Sequence, residues 1–511
     1  MYSLVKSGCP LGIDGMLVSV EADIAQGLPG LSLVGYLASS VKEAGDRVRS
    51  ALKNSGYGLP PKRITVSLSP ADVRKDGAGY DLAIATALLC SMEAIPYEGI
   101  EEYLVLGELG LDGTVRGIPG VLAVAHFAAK QGISKLIVPE VNVKEAVCIE
   151  GIQVYGVSSL YQLIAFLDGS EEIKPAVFRP EDRPVGRTQH DMSEIRGQRV
   201  MKRGMEIAVA GFHNIILAGS AGAGKSLLAK CLPGIMPPMT YEEQLELTKI
   251  YSVAGLLPPG GGLMTERPFR SPHTSVSQAA MLGGGAIPKP GEVSLSSHGI
   301  LFLDEFPEYA RGTIESLRAP MEDKAVTVSR VRASYSFPAK FMLVAARNHC
   351  PCGFFPDRQR CKCTERQILD YQNKVSHPIM DRIDIRIEVR PVKMEELLGM
   401  EEGESSETVR KRIEAARERQ LKRYAKETFH FNSEIPQRKI SKYIRIGKEE
   451  AERLREVYDQ GELSARGYFK VLRLARTIAD LSGHEEIGMS EISEALFFRN
   501  VAEERGDSHV D

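Results

Sequence analysis

Tryptophan is absent from the 511 residues, and aromatic residues make up only 6%. Any surface that stacks on a planar ligand must therefore use Tyr, Phe, His or Arg. An excess of one charge is also missing: 64 basic against 67 acidic residues leave a formal net charge of -3. That balance excludes a globally basic nucleic-acid binder but leaves room for a basic patch on one face. No apolar run approaches the roughly 18 residues of a membrane span, and residues 1–15 carry no apolar signal core. The expected location is the cytoplasm, with no membrane partner. The 43% of hydrophobic and 26% of charged residues exclude a disordered chain. At roughly 150 residues per domain, the length suggests about three domains.

Residues 1–169 alternate short β-type runs (16–20, 31–34, 64–68, 103–106, 136–138) with helical patterns (39–55, 80–91, 120–131). This mixture implies an α/β sandwich. A polar, Pro-containing stretch at 170–187 reads as a linker. Residues 188–395 hold continuous apolar strands at 215–218, 300–303 and 341–345, the pattern of a parallel sheet covered on both faces. Residues 396–511 open on an acidic stretch. Helical patterns follow at 408–424, 448–460, 465–481 and 490–499, the mark of a small helical domain.

The strongest chemistry lies in the second segment. An apolar strand runs into Gly219-Ser220-Ala221-Gly222-Ala223-Gly224-Lys225-Ser226, a complete phosphate-loop pattern. Glycines let the backbone wrap phosphates, so that successive N–H groups point at oxygens. Lys225 supplies charge at the β- and γ-phosphates, and Ser226 offers a hydroxyl to Mg²⁺. A helix beginning there aims its positive end at the anion. The implied cofactors are ATP and Mg²⁺.

Three further pieces follow in order. Residues 300–303 end in Asp304 and Glu305, the first expected to hold Mg²⁺ and the second to polarise an attacking water. Residues 341–347 end in Asn348, a polar amide placed to orient that water. Arg382 lies in Met380-Asp381-Arg382-Ile383-Asp384. By spacing it is equally a surface ion pair or a finger reaching a neighbouring subunit's γ-phosphate. Arg466, at the start of a helix, is a candidate to close over the phosphates of its own chain, with Arg473 two turns on as the competitor.

Eight cysteines include a cluster, Cys350-Pro-Cys352 and Cys361-Lys-Cys363. Four thiolates can close a tetrahedral structural Zn²⁺ site, although C-x-C is tighter than the usual spacing. Four free thiols in a loop is the alternative.

These pieces resemble an AAA+ ATPase. With Arg267-Pro268-Phe269-Arg270-Ser271-Pro272-His273, the Gly283–Glu292 tip, Leu11-Gly12-Ile13-Asp14-Gly15 and Pro70-Ala71-Asp72-Val73-Arg74-Lys75-Asp76-Gly77, the chain resembles the ComM/YifB family of magnesium-chelatase-like AAA+ ATPases almost from end to end. His349 replaces the Pro usual in that family's Asn-Pro-Cys-Pro-Cys, and His273 stands single where a pair is common. The resemblance implies an α/β fold in three parts. These are an inactive Lon-protease-like domain, an AAA+ parallel-sheet core with a helix-2 insert within 226–304, and a helical lid. It also implies a homohexamer. Its expected function is a DNA helicase driving branch migration in homologous recombination or natural transformation. The alternative is a magnesium-chelatase-like motor acting on a protein client in metal insertion.

A hairpin at 325–338 would carry Arg330 and Arg332. With Lys289 they are candidates to meet DNA phosphates in the pore, or a solvated basic turn. Where Lon-like proteases carry their nucleophilic Ser and its Lys, this chain has Gly79 and Leu122, so no peptidase activity is expected.

Overall fold

The computed structural model describes residues 1–178, 190–258, 260–285, 288–330, 333–390, 403–461 and 463–499. The chain opens with a long hairpin, Tyr2–Leu11 paired antiparallel with Asp14–Ala25. Gly12 turns it at φ +66°, a conformation that costs glycine nothing. A seven-stranded mixed sheet grows around the hairpin. Its order is Gly30–Val34, Arg63–Ser69, Asp14–Ala25, Tyr2–Leu11, Tyr103–Val105, Lys135–Pro139 and Gln153–Val157. Only the two pairings made by Asp14–Ala25 are antiparallel.

The helix Asp81–Ser91 lies against the hairpin with all eleven residues buried. Its buried N-terminal carboxylate is gripped by a two-pronged Arg47 (Nε to Oδ2 2.8 Å, Nη2 to Oδ1 3.0 Å). The first strand escaped the sequence pattern because Ser3 and Ser7 lie on its buried side. Their hydroxyls donate to Ala87 O (2.7 Å) and Val105 O (2.9 Å), which removes the penalty of burying them. The stretch expected as linker starts as part of this domain: Ala176 N–H donates to Val154 O (2.8 Å) at the sheet edge. Residues 179–189 lie outside the described residues.

The second sheet is five-stranded and wholly parallel. Its order is Phe269–Arg270, Ile300–Leu303, Met342–Arg347, Ile215–Gly219 and Ile385–Val389. Helices cover both faces, so Ile215–Gly219 and Ile300–Leu303 are buried along their whole length. All five carboxyl ends point the same way, which gathers residues 219, 304 and 348 at one edge.

The helical segment contains Ser406–Arg423, Lys448–Asp459, Ala465–Ser482 and Met489–Arg499. It does not hold a separate core. Val409, Ile413, Val471, Leu474, Ile478 and Phe498 belong to the same apolar cluster as Ile215, Leu217 and Leu228 of the phosphate-loop strand and helix. Buried polar groups stitch the same junction: Gln420 Nε2 donates to Ala210 O (2.8 Å), and His213 Nε2 meets Thr477 Oγ1 (2.8 Å).

The first domain docks on the helix Tyr241–Ala254 of the second. Gly120 N–H donates to Ser252 O (3.1 Å) and Tyr241 Oη to Cys148 O (2.7 Å). Lys249 Nζ donates to His126 Nδ1 (2.6 Å). Burial, then the Lys249 charge, holds His126 down at about 4, so it is a neutral acceptor at pH 7. Among the described residues no helix is long and apolar enough to cross a membrane.

Candidate active site

Residues 219–226 bridge the buried strand Ile215–Gly219 and the helix Lys225–Ile235. Gly222 (φ +79°) and Gly224 (φ +85°) take the left-handed backbone that opens the loop. A Cβ added at Gly222 would meet nothing within 4 Å.

Lys225 is buried, and its ammonium has three acceptors for three protons: Gly219 O (2.9 Å), Ser220 O (2.9 Å) and Asn348 Oδ1 (3.0 Å). Burial lowers its pKa, while Asp304 and Glu388 pull back toward the charged form. Ser226 Oγ donates to Asp304 Oδ2 (2.5 Å). The hydroxyl and carboxylate expected on Mg²⁺ are therefore already in contact, an all-oxygen pair suited to that hard cation. Glu305 follows in a left-handed conformation (φ 50°, ψ 45°), uncommon for a residue with a side chain, and its N–H donates to Asp304 Oδ1 (2.9 Å). This kink turns Glu305 away from the direction the strand would give it. The structure thus brings Lys225, Ser226, Asp304 and Asn348 together, with Glu305 adjoining.

Arg382 and Arg466 are brought together elsewhere. Arg382 is buried. Its Nη2 lies 2.6 Å from Glu322 Oε1, its Nη1 donates to Pro378 O (2.7 Å), and its Nε has no hydrogen-bond partner. Arg466 is 59% exposed and reaches the same Glu322 oxygen at 3.6 Å. Among the described residues no hydrogen bond or ion pair joins Arg466 to residues 219–226. Ala465–Ser482, the helix at whose start Arg466 lies, sets it beside Arg382. Arg473 is spent on Ile435 O (3.0 and 2.6 Å).

Two residues that sequence reasoning missed join these parts. Glu322 is the shared carboxylate. Asn214, just before the phosphate-loop strand, is a three-way clamp. Its Oδ1 accepts from Leu343 N–H (2.9 Å), its Nδ2 donates to Arg382 O (3.3 Å), and its N–H donates to Asp384 Oδ2 (2.9 Å). Asp384 also pairs with Lys470 of the helical segment (2.7 Å), and the neighbouring cations hold its carboxyl far below the usual range despite burial. The only signal in the sequence was a polar residue at the mouth of an apolar strand.

The four clustered thiols converge. Sγ–Sγ separations are 3.4 Å (Cys350–Cys352), 3.7 Å (Cys350–Cys361) and 3.6 Å (Cys352–Cys361), and all four sulfurs lie within 4.8 Å of one another. A tetrahedron with bonds of about 2.3 Å has an edge of about 3.8 Å. His349, the departure from the family pattern, puts Nε2 on Glu388 Oε1 (2.6 Å) and so ties this loop's start to the sheet's edge strand.

Lys289 is exposed in a two-residue ladder, Gly283–Gly284 against Lys289–Pro290. That ladder lies beside the hairpin Ala325–Arg330 and Ala333–Pro338, in which Arg330 pairs with Ala333. Arg332 lies outside the described residues. In the first domain, a Cβ on Gly79 would sit 3.0 Å from Ile118 Cδ1, and Leu122 is buried. Neither position carries a nucleophilic or basic side chain.

Comparison with known proteins agrees with this geometry. Residues 191–397 match the family model described as magnesium chelatase, subunit ChlI. Residues 20–142 match subunit ChlI of Mg-chelatase, and residues 403–499 its C-terminal part. The chain is 41% identical to the protein YifB of Escherichia coli (strain K12), over 98% of this chain and 97% of that one. It is 37% identical to the competence protein ComM of Haemophilus influenzae, over 97% of each. A Lon protease of Salinispora arenicola is 31% identical over 138 residues, 26% of this chain and 18% of the protease. Its convergent nucleotide site and its likeness to these relatives over nearly the full length place the chain in the ComM/YifB family of magnesium-chelatase-like AAA+ ATPases.

Proposed function

We propose that the protein is an ATP-hydrolysing motor that assembles as a homohexamer and moves DNA, promoting branch migration of recombination intermediates. The observation that carries the ATPase reading is the contact set Lys225–Asn348 and Ser226–Asp304 at one sheet edge. In this reading Lys225 and the loop amides bind the triphosphate. Ser226 and Asp304 would hold Mg²⁺, which when bound would supply charge neutralisation for the triphosphate. Glu305 polarises the lytic water, and Asn348 orients it.

Arg382 and Arg466 act on the neighbouring protomer. Two guanidiniums share one carboxylate at Glu322, so the group carries a net positive charge with an exposed member. A γ-phosphate can compete for it. Such a finger contributes about 10³–10⁵ in rate, or roughly 4–7 kcal/mol of barrier.

The DNA reading is supported by the adjacency of the Lys289 ladder and the Arg330 hairpin, and by similarity to a protein named for competence. The family models favour the second reading, a protein client in metal insertion. An ATPase assay with and without forked or four-way DNA separates them. DNA stimulation of wild type, abolished in Glu305→Gln with nucleotide binding retained, supports the DNA motor. ATPase activity indifferent to every DNA tried rejects it.

The thiol cluster is read as a structural Zn²⁺ site. Soft thiolates at tetrahedral spacing suit zinc, and four of them leave no open position for catalysis. Metal analysis of reductively purified protein tests this.

A further inference from the structure

The phosphate loop is not held by its own sheet alone. Ala221 donates its N–H to Gly353 O (2.8 Å), and a Cβ on Gly353 would lie 2.9 Å from the Ala221 Cβ. Gly353 belongs to a tight turn: its N–H donates to Cys350 O (3.1 Å), at φ +79°. A few residues upstream, Asn348 accepts from Lys225 Nζ. Residues 348–353 therefore touch the nucleotide cradle at both ends. Two of the four clustered thiols, Cys350 and Cys352, sit between those contacts.

Polar ties hold the start of this segment, His349 to Glu388 (2.6 Å) and Gln372 Nε2 to His349 O (3.3 Å), but its apolar support is small. The apolar cluster around it has only three buried members, Cys350, Cys361 and Ile368, with Phe354 and Phe355 at its margin. At about 1.5–3 kcal/mol per fully buried large side chain, such a cluster scarcely offsets the entropy of ordering the loop that joins the two cysteine pairs. A cross-link through four sulfurs would fix it.

We infer that a tetrahedral divalent metal held by Cys350, Cys352, Cys361 and Cys363 is a clamp on the phosphate loop, so that metal occupancy sets nucleotide affinity. This rests on the zinc reading above and extends it from a structural site to a regulatory one. The route is through contacts already described: the metal fixes the Cys350–Gly353 turn, Gly353 fixes Ala221, and Asn348 fixes Lys225. Linkage requires reciprocity: if metal tightens nucleotide binding by some factor, nucleotide tightens metal binding by the same factor.

The test uses full-length protein purified under reducing conditions and a fluorescent ADP analogue with Mg²⁺, which avoids turnover. Wild type should contain about one zinc per chain. Cys361→Ser and Cys363→Ser lie outside residues 348–353. Each should lose zinc, keep its oligomeric state and raise the nucleotide Kd about tenfold. Gly353→Ala should keep zinc yet weaken nucleotide binding, because it disturbs the turn beyond the metal. On wild type, saturating ADP should raise zinc affinity against a competing chelator by about the same tenfold. That arm needs no variant and stands even if the serine variants misfold. Zinc loss with a Kd changed less than about twofold, or a chelation equilibrium indifferent to ADP, overturns the clamp and leaves the zinc site standing. Wild type without zinc overturns the reading beneath it.

Discussion

Two α/β domains in this chain carry a glycine-rich turn between a strand and a helix, and the two turns have opposite interiors. At Gly222 the space where a side chain would start is empty, and Lys225, Ser226, Asp304 and Asn348 converge around the loop. At Gly79 a Cβ would instead sit 3.0 Å from Ile118 Cδ1, an apolar neighbour. One glycine faces open space beside converging polar groups. The other lets an apolar side chain pack against the backbone. A glycine-rich turn is thus no evidence of a site until what faces it is known, and a shared fold carries no shared chemistry.

The sharpest way to break this contrast is Lys225→Ala. It removes the charge at the phosphates and should abolish nucleotide binding, with ATPase activity falling at least about a thousandfold, as read by analogue titration and phosphate release. Arg382→Ala should lower turnover by about 10³ while nucleotide affinity holds, since in the ring proposed above the finger serves a neighbour's site. Mixing it with Lys225→Ala protomers should restore part of the activity, and no restoration would place Arg382 in its own chain's site.

Asn214→Leu should lower kcat about ten- to a hundredfold with KM nearly unchanged. The change leaves Leu343 N–H and Arg382 O without their partner, at about 1–3 kcal/mol each, so Tm falls as well.

His126→Gln sharpens the docking side of the comparison. The folded pKa of His126, about 4, lies below its usual value, so its contribution is complete above pH 6.5 and is lost as pH falls toward 4. Glu145, raised to about 7 by burial, works the opposite way, losing stability as pH rises from 4.5 through 7. The difference between wild type and variant isolates the histidine: the variant should lose less Tm on acidification, by about 2 °C. The smallest effect is expected from Gly79→Ser, which should crowd Ile118 slightly and confer no peptidase activity in a casein assay.

Much of this was legible in the sequence for one physical reason. Strands buried on both faces must be apolar throughout, so Ile215–Gly219, Ile300–Leu303 and Met342–Arg347 announced themselves, and the residues just after them, which the structure brings together, stood out as polar. The helices of the last segment followed from 3.6-residue periodicity, as at Ala465–Ser482. Tyr2–Leu11 was hidden because two serines face its core, satisfied by partners far along the chain. Asn214 and Asp384 are 170 residues apart, and no local pattern reports such a bond. The same applies to Glu322 and to the Ala221–Gly353 contact. The proximity of Arg466 to Arg382 through Glu322 was likewise hidden, because a helix start can be read from sequence but the direction in which it delivers a side chain cannot.

The apolar cluster common to the helical segment and the phosphate-loop sheet has a mechanical consequence. Swinging those helices away from Ile215, Leu217 and Leu228 would tear one packed interior and uncover Val409, Ile413 and Leu474 to water. The protomer therefore lacks a cheap internal hinge at that seam. In the motor proposed above, a stroke begun at Lys225 would leave as movement of the sheet and these helices together, delivered to whatever adjoins the chain.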